Sequence, residues 1–528
     1  MVRHALRMMV GTLASRVLGL VREMLVAALF GATRSLDAFY VAYTLANLSR
    51  QLLAEGALSA SFVPVFSRVL ADRGREAAHR LARQALSVLL IAGGTAVGIG
   101  VAASPLLVAL MAPGFSPAER SLAVGLTRAL FPFLLLVSVG ALAMGVLNSL
   151  DSFFVPAVAP AASNLTFILF LLCFLHHPDL PILVSAVLLG GCAHLLLQWV
   201  WCARKGMPLL PLRPDRRDPD LRRMLALFLP YAAGLSLNQV NPVVSRMLGS
   251  FLEGGSISVL NYADRVLQLP LGLFVIAISQ AVLPMLSRLS PEDREGFAEF
   301  VRDALRFNLF VVLPVALGLF LFSPQVVHLL FVRGKFGDWA WHATATVLSL
   351  YGLGLPGMSS VTVLMRALYA RSLPRAAVRV TAFTVTANLL FSFLLMRFFS
   401  YAGLAAATAL AFTGAAAVGA RALARDLGSP LKIFDRRWTG RLLGSCGAMV
   451  GGLLLYRILL PYPVSSGLGP RSLWLCGAAL LGAGLYGGAS LVLRCPEWEW
   501  LRGALSSRGR RDGTDRTTPE GEEGANVG

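Results

Sequence analysis

Ser15–Leu25 reads SRVLGLVREML and lies inside 8–31, a run otherwise apolar enough to cross a bilayer. At 1.5 Å of rise per residue, about 20 apolar residues cover a ~30 Å hydrocarbon core, so the run has the length of a membrane helix. It nevertheless carries Arg16, Arg22 and Glu23. Either the run is not a span, or its charges face the inside of a helix bundle, and the rest of the chain decides between these.

The 528 residues are 56% hydrophobic and 14% charged, with a mean hydropathy of +0.68. Soluble domains are roughly 45–50% apolar and about 25% charged. Apolar runs of membrane-crossing length fall at 8–31, 36–66, 85–111, 121–148, 155–176, 181–203, 224–250, 256–286, 304–323, 340–365, 376–399, 402–424, 440–462 and 470–493. They predict an all-α polytopic membrane protein with fourteen transmembrane helices. A β-barrel would alternate polar and apolar residues over strands of ~10 residues, and runs such as LLIAGGTAVGIGVAASPLLVAL do not.

The formal charge of +19 raises the possibility of nucleic acid, but placement matters more than the sum. Lys and Arg cluster at 68–83, 204–223, 366–379, 421–441 and 494–516, each after an even-numbered span. Positive charge marks the cytoplasmic face, which puts both termini inside and makes anionic lipid headgroups, not nucleic acid, the partner of the basic loops. Two arginines within the first apolar run argue against a cleaved signal and for a retained span. The six cysteines form no CxxC pair and read as small apolar residues, and the scattered histidines form no metal site.

Residues 58–68, LSASFVPVFSR, resemble 278–288, ISQAVLPMLSR, and YVAYTLANL before the first copy has a partner in VLNYADRVL before the second. An offset of 220 residues contains six spans, an even number, so both copies cross in the same direction. This predicts two six-helix lobes related by a parallel repeat, as in secondary transporters. The organisation expected is an N-lobe at 1–203, a basic cytoplasmic linker at 204–223, a C-lobe at 224–424, two additional spans within 425–494 and a disordered tail at 495–528. Pro132, Pro230, Pro270, Pro284, Pro314 and Pro356 supply bends within spans.

An arginine at the centre of an inserted helix costs about 2.5–3.5 kcal/mol, so Arg16, Arg22, Arg50 and Arg265 together cost roughly 10–14 kcal/mol before compensation. The acids within spans are Glu23, Asp37, Glu55 and Asp264. At 100° per residue Arg16 shares a stripe with Glu23, and Ser15 with Arg22, so both arginines flank one polar sector. Ordinary alternatives stay open at this point: snorkelling of Arg50, a local Asp264–Arg265 pair, and an Asp37 that serves the dipole of its own helix. Four guanidiniums that cannot lose a proton suit a phosphate or diphosphate, and hence an anionic amphiphile, better than a sugar or a cation.

SRVLGLVREMLVAALFGA, then DAFYVAYTLANLSRQLLAEGALSASFVPVFS, then NYADRVLQLP, resemble the MurJ (MviN) family of lipid II flippases, whose superfamily includes multidrug exporters and polysaccharide-lipid flippases. The resemblance implies a transporter, not an enzyme, that moves lipid II across a bacterial cytoplasmic membrane by alternating access. It implies that Arg16, Arg22, Arg50 and Arg265 line a central cavity and bind the diphosphate, with Ser15, Glu23, Asp37, Asn47, Glu55 and Asp264 around them. It also implies that the two additional spans hold the polyprenyl tail in a groove. Gln51 and Gln268 depart from residues often charged in the family.

Sodium carboxylates of some relatives have no counterpart in 224–250 or 376–399, so no cofactor is expected and the membrane potential is the expected driving force. A monomer is expected, with the cell-wall synthesis machinery as a further partner. The rival substrate is another polyprenyl-diphosphate-linked oligosaccharide. A membrane glycosyl- or phosphotransferase would need paired carboxylates at span mouths, and none stands there.

Overall fold

Apolar runs become helices, several of which continue through an internal proline such as Pro64, Pro314 or Pro356. The computed structural model describes residues 2–50, 58–215, 217–236, 240–275, 278, 286 and 293–499. Among them the chain is all-helical, and nine helices are long and apolar enough to cross a membrane. The helices of the first half of the chain, short ones included, are α1 (Val2–Phe30), α2 (Arg34–Arg50), α3 (Ser59–Ala102), α4 (Ser104–Met111), α5 (Pro117–Leu130), α6 (Pro132–Ser149), α7 (Phe154–Cys173) and α8 (Leu180–Arg204). In the second half they are α9 (Pro219–Ser236), α10 (Val240–Gly249), α11 (Ser256–Pro270), α12 (Arg294–Phe331), α13 (Asp338–Ala370), α14 (Pro374–Leu427), α15 (Arg436–Leu459) and α16 (Leu468–Val492).

Several boundaries differ from the sequence reading for local reasons. The basic stretch 68–83, expected as a loop, is helical apart from a left-handed break at Gly74, because its Ala, Arg and Leu are strong helix formers. The third run breaks at Ala103, just before Pro105. The eighth runs as α-helix only to Pro270 and continues as a π-helical turn, Leu271–Val275. A non-helical Ser400 divides α14 where two separate runs were expected. Start signals work as written: Ser116 and Glu119 cap α5 reciprocally, and Asp293 caps α12. The second repeat copy, 278–288, and Pro284 lie outside the described residues except at 278 and 286. Of the tail expected to be disordered from 495, residues 495–499 instead pack on α15 and α16, where Glu497 accepts from the Trp438 indole and Trp498 donates to Ser490, and the rest lies outside the described residues.

One hydrophobic core joins the two halves and gathers Phe39 of α2, Leu130 of α5, Val187 of α8, Tyr262 of α11, Phe331 of α12 and Val347 of α13. At the end where the basic clusters lie, the described residues form separate cores. Phe62, Leu81, Leu142 and Cys202 form one with the first turns of α9, and Val301, Leu364, Val380 and Leu423 form another. A fourth core packs α15 and α16 onto α12 through Phe310, Phe322, Leu453 and Trp474. Leu390, Phe393, Phe398, Ile458 and Leu473 stand exposed on α14 to α16, the surface that a bilayer covers.

Where the halves meet, a seam of backbone contacts closes one face. Tyr262 donates its hydroxyl to the Gly31 carbonyl at 2.8 Å, and the Lys335 N–H donates to the Ala28 carbonyl at 2.8 Å. Gly31 and Gly255 adopt φ of 67° and 93°, and a Cβ on either would stand 2.5 Å from a carbonyl oxygen of the other half, Lys335 or Ala32. Gly255→Ala therefore combines a left-handed strain of about 1–2 kcal/mol with a backbone clash. It is expected to lower the melting temperature of purified protein, whereas Gly440→Ala, with nothing within 4 Å on helical backbone, leaves it unchanged or higher.

Candidate functional site

α1 and α11 pass each other in opposite directions just below the seam, and the polar residues of both meet along that line. Glu23, with a side chain only 4% exposed, is the hub. Its Oε1 lies 2.7 Å from Arg22 of the same helix and 3.5 Å from Arg265 of α11. Its Oε2 accepts from the Tyr40 hydroxyl of α2 at 2.8 Å and from the Asn261 amide of α11 at 3.3 Å. Asn261 and Arg265 are four residues apart and so share one face of α11.

Arg22 is held from the other side by α7. It donates to Asn164 Oδ1 at 3.2 Å and lies 5.2 Å from the Phe167 ring centroid. Asn164 in turn donates to the Ser15 carbonyl at 3.1 Å, so Ser15 contributes its backbone rather than its hydroxyl to this contact. Deeper along α1, Arg16 donates to the Gln268 carbonyl at 2.9 Å and fills the space a side chain on Gly272 would need. The Gln268 side chain accepts from Arg265 at 3.3 Å and donates to Asp264 at 2.7 Å.

Guanidiniums from both halves thus converge, as the sequence suggests for Arg16, Arg22 and Arg265. The acid sits behind them: Arg22 and Arg265 side chains are 15% and 30% exposed against 4% for Glu23. The void bounded by Arg22, Glu23, Tyr40, Tyr43 and Phe167 measures about 10 Å³, room for one water and not for a phosphate. Access is instead on the side of Asp264 and Gln268, both exposed.

Other expected residues stand elsewhere. Asp37 is wholly buried, and its carboxylate accepts from the Gly255 N–H at 2.7 Å and from the Ser258 N–H and hydroxyl at 2.8 and 2.7 Å. It caps the N-terminus of α11 across the seam and is not part of the arginine cluster. Asp37 also stands in the first turn of α2, as expected, so one carboxylate serves the start of its own helix and that of α11. Asn47 is half-buried on α2, one turn beyond Tyr43. Glu55 and the side chain of Arg50 lie outside the described residues.

The sequence reading missed Arg246, which links α10 to Thr44 of α2 at 3.4 Å, to the Ile257 carbonyl at 3.1 Å and to Asn261 Oδ1 at 3.1 Å. It also missed Tyr40, Asn164 and Asn261. Arg246 stands near the end of its apolar run, where a snorkelling cation is ordinary, and the neutral groups carry no burial cost large enough to flag them.

Two further features flank the site. Asn388 of α14 meets Asn241 of α10 at 3.3 Å, Ser392 at 3.2 Å and Thr408 at 3.4 Å, a cluster of neutral groups. Between α12, α15 and α16 lies an apolar cleft of about 840 Å³, with Phe310, Leu319, Leu330, Leu453, Leu475 and Tyr486 in its walls.

A family model described as lipid II flippase MurJ matches residues 26–461. The chain is 33% identical over 401 residues to a lipid II flippase MurJ of Burkholderia cenocepacia, covering 74% of this chain and 78% of that one. It is 31% identical over 505 residues to a probable lipid II flippase MurJ of Rhizobium meliloti, covering 91% and 93%. A solved lipid II flippase MurJ in an inward closed conformation superposes with a TM-score of 0.76 at 24% identity, over 94% of this chain and 99% of that one. An inward-facing multidrug transporter of the MATE family superposes with a TM-score of 0.67 at 16% identity, over 78% and 94%. At these identities both structures speak for the fold alone.

Removing the hub acid should leave Arg22 without its paired carboxylate and Arg265 with only the neighbouring Asp264. Glu23→Gln is expected to destabilise the purified protein by about 3–5 kcal/mol, the range for breaking a buried pair. Glu23→Asp should lose less, and Asp264→Asn, at an exposed position, under about 1 kcal/mol. Thermal unfolding of the three variants checks the order.

Proposed function

Because the chain belongs to the lipid II flippase MurJ family, we propose that it carries lipid II, a polyprenyl-diphosphate-linked wall precursor, from the inner to the outer leaflet of a bacterial cytoplasmic membrane. The family makes it a transporter and not an enzyme. In this reading the chain crosses fourteen times, with two six-helix lobes, two added spans and both termini in the cytoplasm. The basic end then faces the cytoplasm and the closed seam faces outward.

The observation that carries the reading is the meeting of Arg16 and Arg22 with Arg265 on the α1–α11 line, with Glu23 behind them. Arg16 donates to the Gln268 carbonyl, and Arg265, besides its pair with Glu23, donates to the Gln268 side chain; both are neutral acceptors that a diphosphate outcompetes with charge-assisted bonds. Glu23 keeps Arg22 and Arg265 aimed while the headgroup enters from the cytoplasmic side. The tail stays in the apolar cleft of α12, α15 and α16.

Outward opening has to break the Asp37 cap on α11 and the backbone bonds of Gly31 and Lys335. Lipid II drives that change only by binding the two states with different affinity. The driving force in this reading is the membrane potential, worth ~2.3 kcal/mol per charge per 100 mV.

Arg22→Ala should abolish wall synthesis in cells that depend on this protein while its expression is retained. Normal growth on that variant would sink the role given to Arg22. In vesicles, lipid II transport should change less than about twofold when sodium is replaced by potassium, and should fall when the potential is collapsed. A sodium requirement would overturn the proposed coupling.

A further inference from the structure

The apolar cleft has a rim that the central site does not use. Its wall on α12 runs from Phe310 to Leu330, about 30 Å of helix and so the whole thickness of a hydrocarbon core. An ordinary phospholipid chain occupies about half that depth. The shape therefore suits one chain long enough to serve both leaflets.

Two arginines stand where the cleft reaches the closed face. Arg471 directly precedes Ser472, which lines the cleft, and Arg333 reaches back to donate to the carbonyl of Leu329, another lining residue. Neither has a carboxylate within salt-bridge distance among the described residues. The charge acting on Arg333 is a like one, Arg471. The Nε of Arg471 is buried and has no acceptor among the described residues, although its far end donates to the Val464 carbonyl. Gln325 and His328 are buried close by; the Gln325 side-chain oxygen has no partner among the described residues, and the His328 ring meets Tyr462 and Trp341. Two like charges and an unmatched N–H at the mouth of an apolar trough are complementary to an anion that carries a long apolar tail.

We infer that Arg333 and Arg471 form a second phosphate site, at the closed-face mouth of the cleft, for the diphosphate of a polyprenyl lipid whose chain lies in the cleft. The inference rests on the proposed function for its direction, since with the closed face outward this site receives the headgroup after passage. Arg333 is two residues from Lys335, whose N–H bonds the Ala28 carbonyl across the seam. The site is therefore joined to the segment that opening displaces.

The test uses full-length protein in nanodiscs with a photoreactive phenylalanine analogue in place of Leu475. It is titrated with radiolabelled undecaprenyl diphosphate, with phosphatidylglycerol and inorganic pyrophosphate as competitors in separate arms. In an Arg22→Ala background, which disables the central site, cross-linking should be saturable, should weaken about 10- to 100-fold when R333Q/R471Q is added and should survive when R333K/R471K is added instead. Pyrophosphate should compete only weakly, because it brings no tail. Unchanged affinity in R333Q/R471Q, or equal competition by phosphatidylglycerol, would overturn the site. Full lipid II transport by Arg22→Ala together with the expected cross-linking would overturn the central mechanism and leave this site standing.

Discussion

A guanidinium cannot become neutral, so every arginine set at hydrocarbon depth must be given acceptors or water. Glu23 meets that demand for cations from both halves of the chain at once. Its two oxygens serve Arg22, Arg265, Tyr40 and Asn261, which belong to α1, α2 and α11. The arrangement holds only while α1 and α11 lie side by side. The group that keeps the arginines tolerable therefore also reports how the halves sit. Gln268 differs in kind: it offers Arg16 and Arg265 neutral oxygens, which hold the side chains in place and yield to a stronger anion.

The seam above this line is built mainly from backbone. Gly31 and Gly255 allow carbonyls of the opposite half to approach, and Asp37 takes up two N–H groups and a hydroxyl at the start of α11. When such a contact parts, water can satisfy the exposed ends of α11, so no buried donor is stranded. At the basic end the two halves keep separate cores, apart from the first turns of α9. Among the described residues, then, the halves share one core at the seam and have separate cores at the basic end.

Much of this was legible in the residues, because membrane solvent imposes strong rules. Runs of apolar residues located the helices, and the high cost of buried charge singled out Arg16, Arg22, Arg265 and Glu23. Breaks at Ala103 and after Pro270, and helix continuing through most of 68–83, depend on local backbone geometry that hydropathy does not register. Asp37 shows the limit most clearly. Its chemistry was readable as an N-terminal carboxylate, but which helix it caps is decided by tertiary packing. Asn164, Asn261 and Arg246 were invisible for a related reason: an amide is cheap to bury when paired, and a cation near a span end looks like a snorkel.

The most direct measurement is binding of lipid II to the purified protein, wild type against Arg16→Gln/Arg265→Gln, by native mass spectrometry. Both substitutions leave the Glu23–Arg22 pair in place while removing the cations that face the accessible side. The account predicts saturable binding to the wild type and its loss by at least about tenfold in the double variant. Equal binding to both proteins would contradict it.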